Sequence, residues 1–412
     1  MSTFLWIAET LNFGKRLLTS VTWRSWSPSE TITRMGGPMT TTFVKKASVF
    51  LCSLLFGCFV LRHTLFAAAP TDAKKNPDSQ GYIFFPSHDE IVAQARKEGK
   101  LLALSLLGRH SYKPLINAFK QRYPFIADMS LEEIGATEAP QRLLLELKAG
   151  SATKWDVLSV APDFYPDYLP YVKKLDILRM ALQKVLAIPP AMIDPKNRSA
   201  VSITSSIHAI AYNKKILPEN RVPANWEEFL KPEFKGKKFL VDIRPIGFAA
   251  MAAGLGEEWM LDYARKIAAQ DPIWIRGQSR YLTSIAVGEY SLFHLAFHYS
   301  CLRETAKNPT ASLGCRVVEP VPARIQNFVA MSNTASHPYA GLLWLEFLAT
   351  PEGQRIIDEY EPFNASIYSP GSKLATLIKG KKLSVNNWET IHNSEKWQAT
   401  AVEAFGFPKA GT

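Results

Sequence analysis

The sequence predicts a layered α/β protein with two lobes. At 412 residues, the chain exceeds the usual size of a single hydrophobic core, so two compact units are expected. From Ile91 onward, segments with helical spacing of apolar residues alternate with short apolar runs that end at glycine or proline. This alternation is typical of α/β folds, in which consecutive strands pair in parallel across a helix.

The individual elements follow from the spacing of apolar residues and from the residues that end each segment. The predicted helices carry their apolar residues on one face, and they span residues 91–98, 114–123, 139–149, 257–269, 279–287, 339–349 and 351–360. The predicted strands are apolar runs at residues 101–107, 156–160, 203–212, 239–243 and 290–297. Because ligands of open parallel sheets bind beyond the carboxyl ends of the strands, loops 107–113 and 160–165 are the candidate site loops.

The region before this pattern has the three parts of a secretory signal peptide. Two lysines at 45–46 precede an apolar stretch at 47–61, and three alanines at 67–69 supply a small-residue cleavage site. Met39 stands just upstream, so we expect translation to begin there. The predicted divisions are an upstream start-site artefact at 1–38, a signal peptide at 39–69 and a linker at 70–90.

Two alternatives for this region remain open. Residues 55–58 resemble a lipoprotein box, in which Cys58 would carry the lipid. An uncleaved membrane anchor is the other alternative, although the apolar stretch is shorter than the roughly 20 residues that a helix needs to cross a bilayer. No comparable apolar run follows Gly81, so we expect the remainder of the chain to be soluble.

Charge and cysteine content exclude some classes of protein. The net charge is +11, but residues 1–69 contain seven Lys or Arg against two Asp or Glu, which leaves 41 basic and 35 acidic residues in the rest of the chain. This excess is scattered, so we expect no nucleic-acid binding. Cys301 and Cys315 are fourteen residues apart in the predicted exported part. They form either a disulfide or two separate buried thiols, and their spacing is not that of a zinc or redox site.

Several short motifs occur in a characteristic order along the chain. They are Ala-Arg-Lys-Glu-Gly-Lys at 95–100, Phe-Lys-Gln-Arg-Tyr-Pro at 119–124, Glu-Leu-Lys-Ala-Gly at 146–150, Trp-Asp-Val at 155–157, Ala-Tyr-Asn-Lys-Lys at 211–215, Pro-Ala-Asn-Trp-Glu-Glu-Phe-Leu at 223–230, Lys-Gly-Lys at 235–237, Gly-Glu at 288–289, His-Pro-Tyr-Ala at 337–340 and Pro-Glu-Gly-Gln at 351–354. In this order, behind an export signal, they resemble the extracellular solute-binding proteins of family 1, which include iron(III)-type periplasmic receptors of ABC transporters.

The resemblance implies a type II periplasmic binding fold, with two α/β lobes joined by crossover strands and the ligand held between them. We expect the crossovers near residues 202–212 and 317–322. The expected lobes are therefore discontinuous: 91–205 with 318–358 form lobe 1, and 206–317 with 359–412 form lobe 2. A ligand that touches both lobes stabilises the closed form of such a hinge.

The candidate ligand-binding residues are polar side chains at strand ends, at the hinge and at the start of a helix. They are Arg109, His110, Ser111, Ser159, Ser205, Ser206, Ser279 and Arg280, together with Tyr299 and Tyr360. Guanidinium groups and helix N-termini favour an anionic or oxygen-rich ligand. The alternatives are that these arginines are solvated surface residues and that the serines are ordinary polar residues of strands.

Iron(III) would require hard oxygen ligands such as tyrosinate. The candidates are Tyr299, Tyr360 and Tyr368, with His298. Iron receptors of the resembling family carry adjacent paired tyrosines, whereas this chain has no Tyr-Tyr dipeptide. His294 and His298 have the spacing of two ligands on a helix, but residues 290–297 are predicted as a strand, and packed or surface histidines are the alternative.

These observations predict an exported solute-binding receptor of an ABC-type importer that captures a small anionic or oxygen-rich ligand by hinge closure. The alternatives are an iron(III) receptor of the same fold, a receptor that feeds a membrane sensor, and a periplasmic enzyme. No P-loop, dinucleotide-binding glycine motif, nucleophile elbow or zinc-protease motif occurs, so we expect no enzyme activity and no cofactor. The expected partners are a small-molecule or ion ligand and a membrane permease, and we expect a monomer in the periplasm.

Overall fold

A computed structural model describes residues 81–134 and 139–407 of the chain. The predicted start at Met39, the signal peptide and Cys58 lie outside these residues. The helices are α1 (His88–Glu98), α2 (Tyr112–Arg122), α3 (Ala139–Lys148), α4 (Tyr165–Tyr168), α5 (Ile177–Leu182), α6 (Ile246–Leu255), α7 (Glu257–Ala269), α8 (Ser279–Val287), α9 (His298–Lys307), α10 (Pro338–Ala349), α11 (Pro351–Tyr360), α12 (Lys373–Ile378) and α13 (Ser394–Ala404).

The strands complete the α/β pattern. They are β1 (Lys100–Ser105), β2 (Asp128–Glu133), β3 (Val157–Val160), β4 (Ala200–Asn213), β5 (Leu240–Asp242), β6 (Ile273–Ile275), β7 (Leu292–Phe297), β8 (Leu313–Arg316), β9 (Val321–Met331) and β10 (Leu383–Asn386). Across the two described stretches, none of the helices has the length and apolar character to span a bilayer.

The strands form a continuous sheet in the order β2-β1-β3-β9-β4-β7-β5-β6, with β10 beside β9 and β8 beside β4. β1 pairs in parallel with β2 and β3, and β5 pairs in parallel with β6 and β7. The long strand β4 connects these two groups. Its residues 200–207 pair with β9, and its residues 208–213 pair with β7 and β8. We call β1, β2, β3, β9 and β10 the first half of the sheet, and β5, β6, β7 and β8 the second half.

Each half has its own hydrophobic core. In the first half, Phe119 packs against Trp344 and Phe347, with ring centroids 5.0 and 5.5 Å apart. In the second half, Trp226 and Phe229 pack around β7. All fourteen residues of β4 are buried because the strand crosses between these two cores.

The predicted helices and strands are present, with ends that differ by a few residues. Five strands were not predicted: β2, β6, β8, β9 and β10. β2 reads Asp-Met-Ser-Leu-Glu-Glu and lacks an apolar run because it lies at the edge of the sheet. β9 is interrupted by polar residues, which the fold buries between β3 and β4. The predicted lobe boundaries stay a prediction.

A candidate ligand-binding cleft between the halves

A cavity of about 610 Å³ lies where the two halves of the sheet meet. This volume is within the usual range for small-molecule sites, roughly 300–1,000 Å³. Loops that follow β1 and β3 line one side of it, and the starts of α6, α8 and α9 line the other side. Its charged lining residues are Glu133, Asp163, Arg244, Arg276, Arg280, Arg303, Arg324 and Glu361.

Three helices of the second half begin at the cavity: α6, α8 and α9. None of the three has a side-chain hydrogen bond from its N-cap residue, and none has an acidic residue in its first turn. At α8, the N-cap Gln278 instead accepts a hydrogen bond from the backbone N–H of Phe297 through Oε1, at 2.7 Å. Uncapped helix starts present free N–H groups and a partial positive charge, so this wall favours an anion.

The arginines on this wall differ in how they are paired. Arg244 is bound to Asp242, with Nη2 to Oδ2 at 2.9 Å, so its charge is neutralised. Arg280 and Arg303 form no ion pair with any other described residue. Their nearest aromatic neighbours are Tyr281 and Tyr299, at 5.7 and 5.9 Å from the guanidinium carbon to the ring centroid. Two exposed guanidinium groups are therefore available to a ligand at the starts of α8 and α9.

Arg324 enters the cavity from β9 and is only 2% exposed. Its Nη2 donates to Oδ1 of Asp163 at 3.1 Å, and Asp163 also accepts from Nε2 of Gln398 at 2.9 Å. Burial opposes ionisation of Asp163, but the Arg324 charge and these hydrogen bonds outweigh it and lower the pKa of that carboxyl group. Asp163 is thus an ion-paired carboxylate in this structure.

Three buried polar atoms beside this pair have no hydrogen-bond partner among the described residues: Nε of Arg324, Oγ of Ser206 and Nε2 of His208. Ser206 lies directly opposite Arg324 in the register of β4 and β9, and His208 is two residues further along β4. Unpaired buried polar atoms are rare in folded proteins and indicate a site whose partners are supplied from elsewhere. Of these three residues, only Arg324 lines the cavity, so the polar atoms of Ser206 and His208 lie behind the lining.

The acidic wall belongs to the first half. Glu133, at the end of β2, accepts from Nε of Arg109 at 2.6 Å. Glu361 follows α11 and accepts from the backbone N–H of Gly108 at 2.6 Å. His110 is the other neighbour of Glu361, with Nε2 3.3 Å from Oε1. The cavity therefore has carboxylates on one side and mainly guanidinium groups on the other.

Three of the predicted ligand-binding residues line the cavity: Ser279, Arg280 and Tyr299. They come together because Ser279 begins α8 and Tyr299 lies in the first turn of α9. Ser159 lies behind the lining and donates to Oδ1 of Asn327, a lining residue, at 2.6 Å. Ser205 accepts from the backbone N–H of Ile367 at 3.1 Å and does not line the cavity.

The predicted Arg109–Ser111 cluster lies outside the cavity lining, although its neighbour Gly108 is part of it. The Arg109 side chain is 80% exposed and pairs with Glu133. His110 contacts the backbone carbonyl of Tyr360 at 2.7 Å, and Ser111 donates to the carbonyl of Gly108 at 2.7 Å. These contacts connect loop 107–113 with the end of β2 and with the end of α11.

The predicted iron ligands are dispersed. Of the tyrosine candidates, Tyr299 lines the cavity and Tyr360 and Tyr368 do not. His298 packs against Phe363, with ring centroids 5.2 Å apart, and burial lowers its pKa to about 4. His294 lies in β7 whereas His298 begins α9, so the two do not share a helix face. Across residues 81–134 and 139–407, no group of three or more His, Cys, Asp or Glu residues could hold a metal ion.

The structure joins Cys301 and Cys315 in a disulfide, with their Cα atoms 6.2 Å apart. The bond connects α9 with β8. It therefore fastens the helix that carries Tyr299 and Arg303 to a strand of the second half.

Sequence reasoning missed four of the five lining arginines and all three lining acids. Asp163 falls in the predicted site loop 160–165, and Arg276 lies three residues before the predicted residue Ser279, so position along the chain was a usable signal for both. Arg244, Arg303, Arg324, Glu133 and Glu361 had no such signal, because they come from five separate segments that only the fold brings together.

The fold and the charged cleft define a two-part binding protein, in which one strand passes through both halves and a ligand-sized cavity opens between them. Residues 156–394, more than half of the chain, match the family model described as bacterial extracellular solute-binding protein. The chain belongs to this family of solute-binding proteins, which confirms the predicted resemblance. Among curated proteins, none matches the sequence.

Solved structures show the same fold. The ferric binding protein from Campylobacter jejuni has a TM-score of 0.57 at 19% identity, over 75% of this chain and all of that chain. Iron-bound HitA from Pseudomonas aeruginosa has a TM-score of 0.56 at 16% identity, over 74% of this chain and 99% of that one. The substrate-binding protein of an ABC transporter from Agrobacterium tumefaciens has a TM-score of 0.51 at 16% identity, over 75% and 97%. These likenesses confirm the predicted type II periplasmic binding fold.

Proposed function

We propose that this solute-binding protein is the exported receptor of an ABC-type importer and that it captures a small anionic solute in the cleft. One observation carries the proposal: three uncapped helix starts, together with Arg280 and Arg303, line one wall of the cavity. Helix N-termini and unpaired guanidinium groups are the standard protein groups for binding carboxylate, phosphate or sulfonate. The cavity volume suits a ligand of metabolite size.

The test is a thermal-shift screen of the chain from Ala73 onward against carboxylates, phosphate, phosphonates and sulfonates. A ligand that binds only the folded state raises the melting temperature. Replacing Arg280 or Arg303 by Gln removes one charge-assisted contact, so we expect affinity for the responding anion to fall at least about tenfold. Arg265→Gln, on the exposed face of α7, is the matched control and leaves affinity unchanged. Absence of any shift with all four classes would contradict the proposal.

An iron(III) receptor is the second candidate, and Tyr299 in the cavity is the observation that favours it. Burial raises the pKa of Tyr299, however, which opposes the tyrosinate form that iron(III) requires. A melting-temperature shift with ferric citrate that citrate alone does not produce, and that Tyr299→Phe abolishes, would replace the anion proposal by this one.

The remaining parts of the proposal concern the setting of the receptor. Membership of an extracellular family agrees with export by the segment at residues 39–69, and we place the receptor in the periplasm as a monomer. Its macromolecular partner is a membrane permease, and the Agrobacterium tumefaciens protein of the same fold is the substrate-binding protein of an ABC transporter. In the lipoprotein alternative, the lipid is attached to Cys58, which then becomes the N-terminal residue. Mass spectrometry of the exported protein distinguishes cleavage near residue 69 from lipidation at Cys58.

A further inference from the structure

Most charges of the cavity are separated between its two walls. The exception is Arg324 of β9, which belongs to the first half and is paired with Asp163. Arg244, Arg276, Arg280 and Arg303 belong to the second half, and Glu133, Asp163 and Glu361 belong to the first half. A purely anionic ligand accounts for the arginine wall. It leaves the opposite wall, with its three carboxylates, without a ligand group to contact.

The three carboxylates are not equivalent. Asp163 is paired with Arg324, and Glu133 is paired with Arg109. Glu361 forms no ion pair with a Lys or Arg of the described chain. It is only 8% exposed, and its partners are the N–H of Gly108 and the imidazole of His110. A buried carboxylate that lines a binding cavity with no lysine or arginine beside it is an acceptor for a cation from the ligand.

The contacts of His110 support the role of Glu361 as an acceptor for a cation from the ligand. Nε2 of His110 lies 2.7 Å from the carbonyl oxygen of Tyr360 and 3.3 Å from Oε1 of Glu361. Because a carbonyl oxygen only accepts, Nε2 carries a proton that is directed mainly at Tyr360. The imidazole is therefore the weaker of the two contacts to Glu361, and the backbone N–H of Gly108 is the stronger.

We propose that the ligand is a zwitterion whose anionic group binds at the starts of α8 and α9 beside Arg280 and Arg303, and whose ammonium group donates to Glu361. This inference rests on the proposed anion-binding function and specifies its substrate class. A ligand of this kind places one charge on each half of the sheet. Both of its ends are then needed to hold the halves together.

The experiment is isothermal titration calorimetry of the chain from Ala73 onward with matched pairs of probes. The pairs are 3-aminopropane-1-sulfonate with propane-1-sulfonate, and 3-aminopropylphosphonate with propylphosphonate. Each pair keeps the same anion and differs in the ammonium group. We expect the amino member of at least one pair to bind at least about tenfold more tightly, as for one buried charge-assisted hydrogen bond.

Two variants assign the effect to Glu361. Glu361→Gln retains an oxygen that accepts from Gly108 but loses the charge, so we expect the amino and amino-free probes to bind with affinities within about threefold of each other. Glu361→Asp keeps the charge and so retains part of the preference, which separates charge loss from misfolding. Glu359→Gln, on the exposed side of α11, is the matched control and keeps the full preference.

Each outcome decides a different point. Equal affinity of both members of each pair in the wild-type protein would overturn the zwitterion inference while the anion-binding proposal stands. A preference that survives Glu361→Gln would overturn the role of Glu361. Failure of every probe, in a protein that also shows no shift in the anion screen, would overturn the proposed function and the inference with it.

Discussion

His294 shows how a single buried side chain makes stability depend on pH. It is 1% exposed and lies among the rings of Trp226, Phe229 and Phe248. The Tyr263 hydroxyl donates to the carbonyl of Trp226, so its oxygen accepts from Nε2 of His294, at 2.9 Å. Nδ1 has no partner, and burial lowers the pKa of His294 to about 3. The folded protein therefore holds this imidazole in its neutral form.

We predict that His294→Phe makes the protein less sensitive to acid. The folded-state pKa is below the unfolded value of about 6.5, so the wild-type protein keeps its full stability above that pH and loses it as the pH falls toward 3. The loss amounts to about 1.4 kcal/mol per pH unit for one such histidine. Urea unfolding at about pH 7, 5 and 4 should show a shallower decline in the variant.

His208 is also buried with a lowered pKa, so part of the acid sensitivity remains in this variant. The exposed His392 provides the control, and His392→Gln should leave the pH dependence of the free energy of unfolding unchanged. A decline that is equally steep in wild type and His294→Phe would show that His294 does not contribute.

For individual residues, the sequence indicated which polar side chains were candidates for the site, but it did not indicate which groups bury them or pair with them. Ser279, Arg280 and Tyr299 were predictable because each stands beside a recognisable strand end or helix start. Glu361 and Arg324 were not predictable, because their burial and pairing depend on residues more than a hundred positions away in the chain.

At the scale of the element, α8 connects local sequence with binding. Gly277 adopts φ +86°, a left-handed conformation that favours glycine, and turns the chain from β6 into the helix. Ser279 is the first helical residue, is exposed, and lines the cavity. The positive end of α8 is therefore presented to the ligand.

We predict that Ser279→Asp separates helix stability from binding. A negative charge in the first turn stabilises a helix by about 0.3–1 kcal/mol, so the melting temperature should stay the same or rise. The same charge repels an anionic ligand, and affinity should fall at least about tenfold. Thermal unfolding and calorimetry on one sample measure both effects. Ser279→Asn is the size-matched neutral control, and undiminished binding by Ser279→Asp would place the anion elsewhere.

The strands show why some elements were predictable and others were not. β7 and the second part of β4 are mainly apolar because both faces of these strands are buried, and this pattern predicted them. β9 is buried to the same degree, but it contains Arg324, Gln326 and Asn327. These polar side chains line the cleft, and they interrupt the apolar pattern on which sequence reasoning depends.

At the scale of the whole molecule, β4 is the physical link between the halves. It pairs with β9 at its start and with β7 and β8 at its end, and the cavity lies where the pairing changes. The walls carry opposite charges, so a ligand in contact with both walls stabilises the closed arrangement relative to the open one.

We predict that a bound anion makes the molecule more compact. Small-angle X-ray scattering of the chain from Ala73 onward should show a smaller radius of gyration at saturating ligand. Ser279→Asp, at a ligand concentration that saturates the wild-type protein, should show a smaller change, because its affinity for the anion is lower. A radius that is identical with and without ligand in the wild-type protein would exclude hinge closure as the mode of capture.

The sequence by itself determined the α/β class, most helices and strands and the likeness to solute-binding proteins. It also indicated three polar residues that line the cavity, Ser279, Arg280 and Tyr299. These properties depend on local periodicity and on short motifs, which are read within a window of a few residues. Only the tertiary structure decided which charges share the cleft. Arg303, Arg324, Glu133 and Glu361 come from separate segments, and contacts between distant parts of the chain decide which of them are buried, which are paired and which face a ligand unpaired.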